Sequence, residues 1–407
     1  MHANTVWIVT STALVLLMTP GLALFYGGLV RSRSVLNMMM LSLGSMGLIA
    51  VLWVLYGANM SVVGDAGPLA FAGNPLSNFG QAGVAGADLV GVAFGATFAI
   101  ISTALISGAI ADRTKFGAWM LFAGLWATLV YFPVAAWVWG GGWVQSLGGW
   151  LGTAEVIDWA GGTAVHLNAG AAALALALVL GRRVDFASRS HRPHNIPLVL
   201  LGGSLLWFGW FGFNAGLAAD DDQVGLIVTN TLVAPAAGIL GWLFTERLRG
   251  RKPTSIGAIS GVVAGLVAIT PACADLTPGW SIVLGLIAGA VCALAIDLKY
   301  RLGYDDSLDV VGLHLVAGVL GTLFLGFAAT DTGLFATGDW GLLLVQLISV
   351  LGVGGYSFLV SLVLALLISK TIGFRVAPGD ELAGVDRSGH GEDAYELDAM
   401  TPVPGRG

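Results

Sequence analysis

Residues 158–180 read DWAGGTAVHLNAGAAALALALVL, a long apolar run that begins at an acid and holds a histidine near its start. A bilayer core about 30 Å thick requires roughly 20 mostly apolar residues per helix, so this run predicts a membrane-spanning helix. Residues 309–329, DVVGLHLVAGVLGTLFLGFAA, repeat the arrangement of an acid followed by a histidine. Together the two runs predict an integral membrane protein built from helices.

The composition of the 407-residue chain favours the same class. Hydrophobic residues make up 56% of the chain and charged residues only 10%, and the net charge is −6. Soluble domains carry about 25% charged residues. These values exclude a soluble enzyme, a disordered protein and a nucleic-acid-binding protein. Cys273 and Cys292 are the only cysteines, too few for a disulfide framework or a zinc site built from cysteines.

Eleven apolar runs are long enough to predict transmembrane helices. The predicted spans are 5–30, 38–61, 88–111, 117–139, 160–181, 195–218, 224–245, 255–273, 279–298, 309–329 and 342–369. All 18 Lys and Arg residues follow odd-numbered spans, and the alternate loops hold none. The positive-inside rule then predicts the N-terminus outside and the C-terminus inside. We expect a transmembrane domain over residues 1–370 and a cytoplasmic tail over residues 371–407.

Spans one to five and spans six to ten form two similar halves. Asp158 and His166 belong to the fifth span, and Asp309 and His314 occupy related places in the tenth. Because each half holds an odd number of helices, the two halves would enter the membrane from opposite sides. Inverted repeats with a site at their interface recur in transporters. The predicted fold is therefore all-α, with two inverted five-helix halves and an eleventh helix.

His166 and His314 are the only two of the six histidines that lie within predicted spans. Ionisable residues in a membrane are costly and usually face a bundle interior or a cavity. One such histidine alone is more often a satisfied core residue, but two on related helices favour a shared polar pathway. Neutral imidazole has one donor and one acceptor nitrogen, and loss of water disfavours its charged form. The pair suits a small hydrogen-bonding solute, although spacing alone leaves open whether the rings touch.

Two acids at predicted helix starts and three aromatic residues of the outer half have both a structural and a functional interpretation. Asp158 and Asp309 precede helix starts, where a carboxylate caps free backbone N–H groups. Trp139, Phe98 and Phe213 could attract a cation through their ring faces. Tryptophan at a membrane interface more often anchors a helix, and phenylalanine more often packs.

The motifs of several other protein classes are missing from the sequence. It contains no phosphate-binding Gly-Lys-Ser/Thr loop, no His-Glu-x-x-His, no Gly-x-Ser-x-Gly and no Arg-rich voltage sensor. ATP hydrolysis by this chain is thereby excluded. A membrane metalloenzyme is disfavoured, because catalytic zinc uses three protein ligands and neither acid lies one turn from its histidine. We expect a protein that is not an enzyme and has no metal or cofactor.

Five motifs resemble those of the ammonium transporter family (Amt/Mep/Rh), in particular its prokaryotic Amt-type members. They are PGLALFYGGLVR at 20–31, DWAGGTAVH at 158–166, WFGFNAG at 210–216, ITPAC at 269–273 and DDSLDVVGLH at 305–314. The resemblance covers nearly the whole chain. It implies an eleven-helix protomer of a homotrimer in the inner or plasma membrane, with a pore for ammonium or ammonia through each protomer.

The resemblance also implies roles for particular residues. Trp139 would receive ammonium in an outer vestibule, with Phe98 and Phe213 stacked below it as a gate. His166 and His314 would line the pore, and Asp158 would support the outer site and the proton path. The positions where the family has apolar pore lining are Leu22, Leu206 and Val310.

The tail and one vestibule position need separate comment. Composition favours a disordered, solubilising tail, whereas residues 388–395, SGHGEDAY, resemble the family's tail that helps dock a PII-class signal protein. Leu217 stands where the family often has a serine whose hydroxyl helps hold ammonium. We expect its loss to weaken outer-site recruitment by about 1 kcal/mol, the value of one hydrogen bond.

The leading hypothesis is selective conduction for nitrogen metabolism: ammonium is recruited, gives up a proton, and crosses an apolar pore along two histidines. Whether the proton follows is open. The alternative is an ammonium sensor that signals through a PII-type partner, although the tail of about 37 residues holds no added signalling domain. A Rh-like conductor of other neutral gases also stays open, but Trp139 favours ammonium.

Overall fold

The computed structural model describes residues 3–186 and 192–395. Regular secondary structure in these ranges is helical, and the one strand-like pairing there is an isolated bridge between Thr114 and Arg375. Ten helices of the described ranges are long and apolar enough to cross a membrane. The predicted all-α membrane architecture is therefore confirmed. His2, Arg189, His191 and the tail beyond residue 395 lie outside the described residues.

The principal helices follow the predicted spans closely. Their bounds are α1 Ala3–Leu29, α2 Val35–Met60, α3 Leu89–Ile110, α4 116–138, α5 Gly162–Leu180, α6 Ile196–Ala215, α7 Asp221–Leu248, α8 Ser255–Ile269, α9 Pro278–Ala295, α10 Val311–Ala328 and α11 Gly341–Thr371. After a glycine turn, α4 is followed by the short helix Trp143–Leu151. Residues 61–88 form a long, mostly irregular loop between α2 and α3.

Helix α8 is the shortest of the principal helices, and it ends four residues before the end of its predicted span, 255–273. It has 15 residues, about 22 Å at 1.5 Å per residue, which is less than a bilayer core. The helix ends before Pro271, which has no N–H to continue the helical hydrogen bonds. Nearly all of it from Gly257 onward is buried. Ten helices of the described residues are long and apolar enough to span a membrane, and an eleventh span stays a prediction.

Close backbone contact between α7, α8 and α9 explains how α8 is enclosed. A methyl group on Gly261 of α8 would lie 2.6 Å from the carbonyl oxygen of Gly238, and one on Gly289 of α9 would lie 2.1 Å from the same oxygen. No side chain fits at either position without moving a backbone. Small residues at such points let helices pack tightly in lipid.

Two wide helical turns place the histidines of the two halves. Residues Gly162–Leu167 at the start of α5 and Val311–Leu315 at the start of α10 are π-helical. Such turns are frequent at functional sites, because they rotate side chains out of the regular helical register. The two turns contact each other inside the bundle, so His166 and His314 meet. The inverted relation of the two halves stays a prediction.

The described part of the tail, residues 372–395, is packed against the transmembrane domain. It contains two short helices, Pro378–Ala383 and Val385–His390, of which the second contacts α2. The Asp386 carboxylate accepts hydrogen bonds from the backbone N–H groups of Leu36 at 3.1 Å and Asn37 at 2.7 Å. The tail therefore caps a transmembrane helix, and its composition alone gives no sign of this.

Candidate functional site

An aromatic cavity opens at the end of the bundle where α2, α4 and α6 end and α3 and α5 begin. Its volume is about 400 Å³. Seven of its lining residues are aromatic: Trp53, Phe94, Phe98, Tyr131, Trp139, Trp159 and Phe213. Ring faces attract cations, most strongly where water is excluded. The cavity is thus suited to hold a small cation.

The three aromatic residues singled out in the sequence meet at the floor of this cavity. The rings of Phe98 and Phe213 are stacked, with centroids 4.1 Å apart and an angle of 12° between their planes. Trp139 lies edge-on to Phe98 at 6.2 Å. The Trp139 indole N–H donates to the backbone oxygen of Asp158 at 2.8 Å, which fixes the orientation of its ring.

A second, much narrower cavity lies beyond the stacked rings. It has room for about one water-sized particle, with a volume of about 10 Å³. Phe213 lines both cavities, so its ring separates them. The other lining residues are mostly apolar: Met18, Leu22, Phe25, Ile101, Leu105, Leu206, Trp210 and Val263, together with His166 and His314.

His166 and His314 supply the polar atoms of this narrow histidine cavity. The two Nδ1 atoms lie 3.2 Å apart, and the rings are nearly parallel, with an angle of 19° between them. In a neutral pair, one Nδ1–H donates to the other Nδ1, which leaves one Nε2 acceptor and one Nε2–H donor. Within the described part of the chain, His166 Nε2 has no hydrogen-bond partner. The pair is therefore able to exchange hydrogen bonds with a small neutral solute.

Asp158 caps α5 and does not line either cavity. Its carboxylate accepts hydrogen bonds from four consecutive backbone N–H groups, those of residues 161–164, and from the Thr163 hydroxyl. This satisfies the free N–H groups that begin a helix. Its contact with the aromatic site runs through the backbone oxygen that holds Trp139.

The capping role predicted for Asp309 belongs to Asp306 instead. The Asp306 carboxylate accepts from the backbone N–H groups of Val310 at 3.1 Å and Val311 at 2.7 Å. Asp309 has a φ of 64°, which turns its side chain away from the helix start. Its carboxylate pairs with Lys299 Nζ at 2.6 Å. Asp306 caps the helix because of the backbone conformation at Asp309, and the spacing of residues along the chain does not predict that conformation.

The predicted apolar and vestibule residues are divided among different regions. Leu22 and Leu206 line the histidine cavity, whereas Val310 is buried beside Tyr26 and Gly108 and does not line it. Leu217 lines the aromatic cavity and is 59% exposed. An apolar side chain therefore occupies the position in the cavity wall where the family often has a serine hydroxyl.

Several residues that shape the site are not among those predicted from the sequence. Trp159 lines the aromatic cavity and donates to the backbone oxygen of Asn214 at 2.7 Å. Trp210 stacks on His166 with centroids 5.3 Å apart, and its N–H donates to the Thr270 hydroxyl. Trp210 stands three residues before Phe213, a spacing that puts both on one helix face. The spacing therefore indicated that Trp210 lies near the site, because Phe213 was already a candidate residue.

A buried network of charges at the opposite end of the bundle was also missed. Arg183 donates to both carboxylate oxygens of Asp305 at 3.0 Å and to Asp112 at 3.2 Å. Burial favours a raised pKa for Asp305, but Arg113 and Arg183 beside it hold that pKa below its usual range. The ion pairs of Arg183 with Asp305 and Asp112 connect three loops and thereby hold the ends of the adjoining helices together.

The described residues contain no group of three or more His, Cys, Asp or Glu side chains that could hold a metal ion.

The fold and the two cavities define a multi-pass membrane protein with an aromatic cavity above a narrow apolar passage. Comparison with known proteins places it more closely. The sequence profile of the Ammonium Transporter Family matches residues 6–395.

Relatives and solved structures agree with that match. An ammonium transporter of Mycobacterium tuberculosis is 48% identical, and the alignment covers 97% of this chain and 90% of the relative. The crystal structure of Candida albicans Mep2 is similar with a TM-score of 0.86 and 32% identity, over 99% of this chain and 93% of that chain. A structure described as a sensor Amt protein gives a TM-score of 0.86 at 28% identity, over 95% and 98%. The chain belongs to the ammonium transporter family and is a multi-pass plasma-membrane protein.

Proposed function

We propose that this chain transports ammonium nitrogen, recruiting ammonium in the aromatic cavity and conducting ammonia past His166 and His314. The observation that carries the proposal is the direct succession of the two cavities, which share Phe213. Membership of the ammonium transporter family supports the substrate. No catalytic residue, metal or cofactor is part of this proposal.

The first step is recruitment and dehydration. The rings of Trp139 and Phe98 replace part of the ion's water by attraction to their faces. The stacked Phe98 and Phe213 rings act as a gate that must separate before the solute passes. A cavity with room for about one water-sized particle cannot admit a hydrated ion. Ammonium therefore transfers a proton to water in the aromatic cavity, and ammonia alone enters this constriction.

The second step is passage of the neutral molecule along the histidine pair. Ammonia donates and accepts hydrogen bonds, so it can use the Nε2 acceptor and the Nε2–H donor that the pair offers. Leu22 and Leu206 keep the rest of this cavity apolar, which disfavours any charged species. Potassium cannot lose a proton, so it has no corresponding neutral form.

The arrangement of the charges supports an orientation for this route. The aromatic cavity opens at the end that lacks Lys and Arg, and we place that end outside. The histidine cavity then leads toward the cytoplasm, where the tail packs. Residues 1–370 form the proposed transmembrane domain, and residues 371–407 form the proposed cytoplasmic tail.

We further propose that the chain forms a homotrimer and that its tails dock a PII-class protein. Native mass spectrometry with and without that protein tests both proposals.

The direct test is uptake of isotope-labelled ammonium into proteoliposomes. We expect saturable uptake that exceeds that of protein-free vesicles and requires an ammonium gradient. Uptake no faster than in protein-free vesicles, with the protein folded and inserted, would contradict the proposal. Isotope uptake detects both electrogenic and electroneutral transport.

Sensing is the second candidate function, and the structure described as a sensor Amt protein is the observation that favours it. A chain truncated after residue 376 separates the two roles in cells. Loss of an ammonium response with uptake intact would favour sensing. Loss of regulation by a PII-class protein, with no other lost response, would favour transport as the main role.

Leu217→Ser tests whether the aromatic cavity recruits the ion. The new hydroxyl would offer an oxygen acceptor at the cavity wall, worth about 1 kcal/mol. We expect the apparent affinity for ammonium to rise about fivefold, measured from the concentration dependence of labelled uptake. Leu217→Ala is the matched control, since it removes the same bulk without adding a hydroxyl. Equal apparent affinities for the Ser and Ala variants would refute the expectation.

A further inference from the structure

Two arginines outside the transport route converge on one cleft. Arg33 of the turn between α1 and α2 and Arg387 of the tail line a cavity of about 380 Å³, together with Ser388 and Asp393. The remaining wall is formed by residues 383 and 384. No role for this cleft follows from the transport proposal.

The backbone fixes the two arginines relative to each other. The Asp386 N–H donates to the carbonyl oxygen of Arg33 at 3.1 Å. Gly384 has a φ of 108°, and a methyl group on it would lie 2.6 Å from the same carbonyl oxygen. Only glycine allows so close an approach in this conformation. The cleft therefore exists only while the tail is docked.

Neither guanidinium in the cleft is neutralised. Among the residues that the structure describes, neither Arg33 nor Arg387 has a side-chain hydrogen bond or an ion pair, and Asp393 is not within ion-pair distance of them. The nearby Asp386 carboxylate is engaged in capping α2. By contrast, several other arginines of this face form ion pairs, among them Arg31 with Asp185, Arg183 with Asp305 and Arg375 with Glu381.

We infer that this cleft binds a phosphate group held between Arg33 and Arg387. A guanidinium presents paired N–H donors in a planar fork that matches phosphate oxygens, and the pairing is strong because both partners are charged. Two guanidinium groups against the one carboxylate of Asp393 leave a net charge of about +1 for the anion. The Ser388 hydroxyl lies in the same wall and adds a neutral donor.

The position of the cleft favours a phospholipid headgroup as the source of the phosphate. Arg33 stands between the last residue of α1, Leu29, and the first of α2, Val35, so the cleft lies where two spans leave the membrane. Headgroup phosphates lie at this depth, and anionic lipids attract basic residues there. A soluble phosphate would satisfy the same chemistry.

Phosphate binding would also hold the tail, because one arginine belongs to the tail and the other to the transmembrane domain. Hydrogen exchange of backbone amides 384–390 in the full-length protein measures this hold without reference to transport. We expect phosphatidylglycerol nanodiscs to slow this exchange about tenfold relative to phosphatidylcholine nanodiscs. Arg33→Gln and Arg387→Gln should each remove the difference.

Further variants and ligands serve as controls, which identify the source of the phosphate and show that the variants fold. Arg247→Gln removes another arginine of the same face and should behave as wild type. Arg387→Lys keeps the charge without the fork and should retain part of the effect. Slowing by inorganic phosphate in detergent would assign a soluble ligand, and slowing by phosphatidylglycerol alone a lipid. Equal exchange in both lipids, or a lipid effect that survives both Gln variants, would overturn the inference.

Discussion

Replacing either pore histidine with alanine is expected to reduce labelled ammonium uptake about tenfold or more. Each substitution removes a ring from a cavity whose other lining is almost entirely apolar. The permeating molecule then loses a hydrogen bond worth ~1.5 kcal/mol in a place where water cannot replace it. His166→Ala also removes the stacking partner of Trp210, so we expect it to be at least as harmful as His314→Ala.

Matched controls show whether the imidazoles or only their volume matter. Thr322→Val alters a buried polar residue of α10 that has no side-chain hydrogen-bond partner among the described residues, and it should leave uptake unchanged. His314→Phe keeps an aromatic ring without nitrogen and should be as inactive as the alanine variant. Uptake at wild-type rates in both alanine variants would contradict a role for the pair.

Asp158→Ala is expected to cause the largest loss of stability among substitutions near the site. Four backbone N–H groups and the Thr163 hydroxyl would lose their shared acceptor. Each buried N–H left unpaired costs about 1–3 kcal/mol, so the total is roughly 4 kcal/mol or more. Thermal unfolding in detergent, followed by tryptophan fluorescence, measures the change, and we expect little folded protein to survive purification.

The Asp158 prediction separates a structural acid from one that binds the ion. Asp158→Asn keeps one oxygen acceptor, so we expect a loss of stability between those of wild type and Asp158→Ala. Asp331→Ala alters an exposed acid and should unfold at the wild-type temperature. If Asp158→Ala unfolded at the same temperature as Asp331→Ala while losing affinity for ammonium, direct ion binding would replace capping as its role.

Composition and apolar length predicted the membrane fold because both reflect transfer from water to lipid, which acts locally along the chain. The same reasoning isolated His166 and His314 as the two histidines within spans. It could not predict that their rings touch, since they are 148 residues apart. Their contact depends on two π-helical turns and on the packing of α5 against α10, and the hydrophobic pattern predicts neither.

The capping of α10 by Asp306 in place of Asp309 shows a different limit of sequence reasoning. Both acids precede α10, and spacing favours either as its cap. The positive φ of Asp309 and the nearby Lys299 decide the matter in favour of Asp306. Similarly, the charge pattern showed that Arg183 lies in a loop. It gave no sign that Asp112 and Asp305 would surround it inside the fold.

The tail shows that low hydrophobicity does not exclude fixed structure. Its composition favours disorder, yet the Asp386 carboxylate and the backbone at Gly384 attach it to α2 and to Arg33. These contacts are polar and few, so a hydrophobicity scale does not register them.

The central claim is that each chain contains a dry, narrow passage in which two imidazoles offer the polar contacts. Simultaneous measurement of labelled ammonium uptake and potassium current in wild-type proteoliposomes tests it most directly. The account predicts rapid ammonium uptake with no potassium current above that of protein-free vesicles, at any potassium gradient. A potassium current comparable to the ammonium flux would show a hydrated passage and would contradict the account.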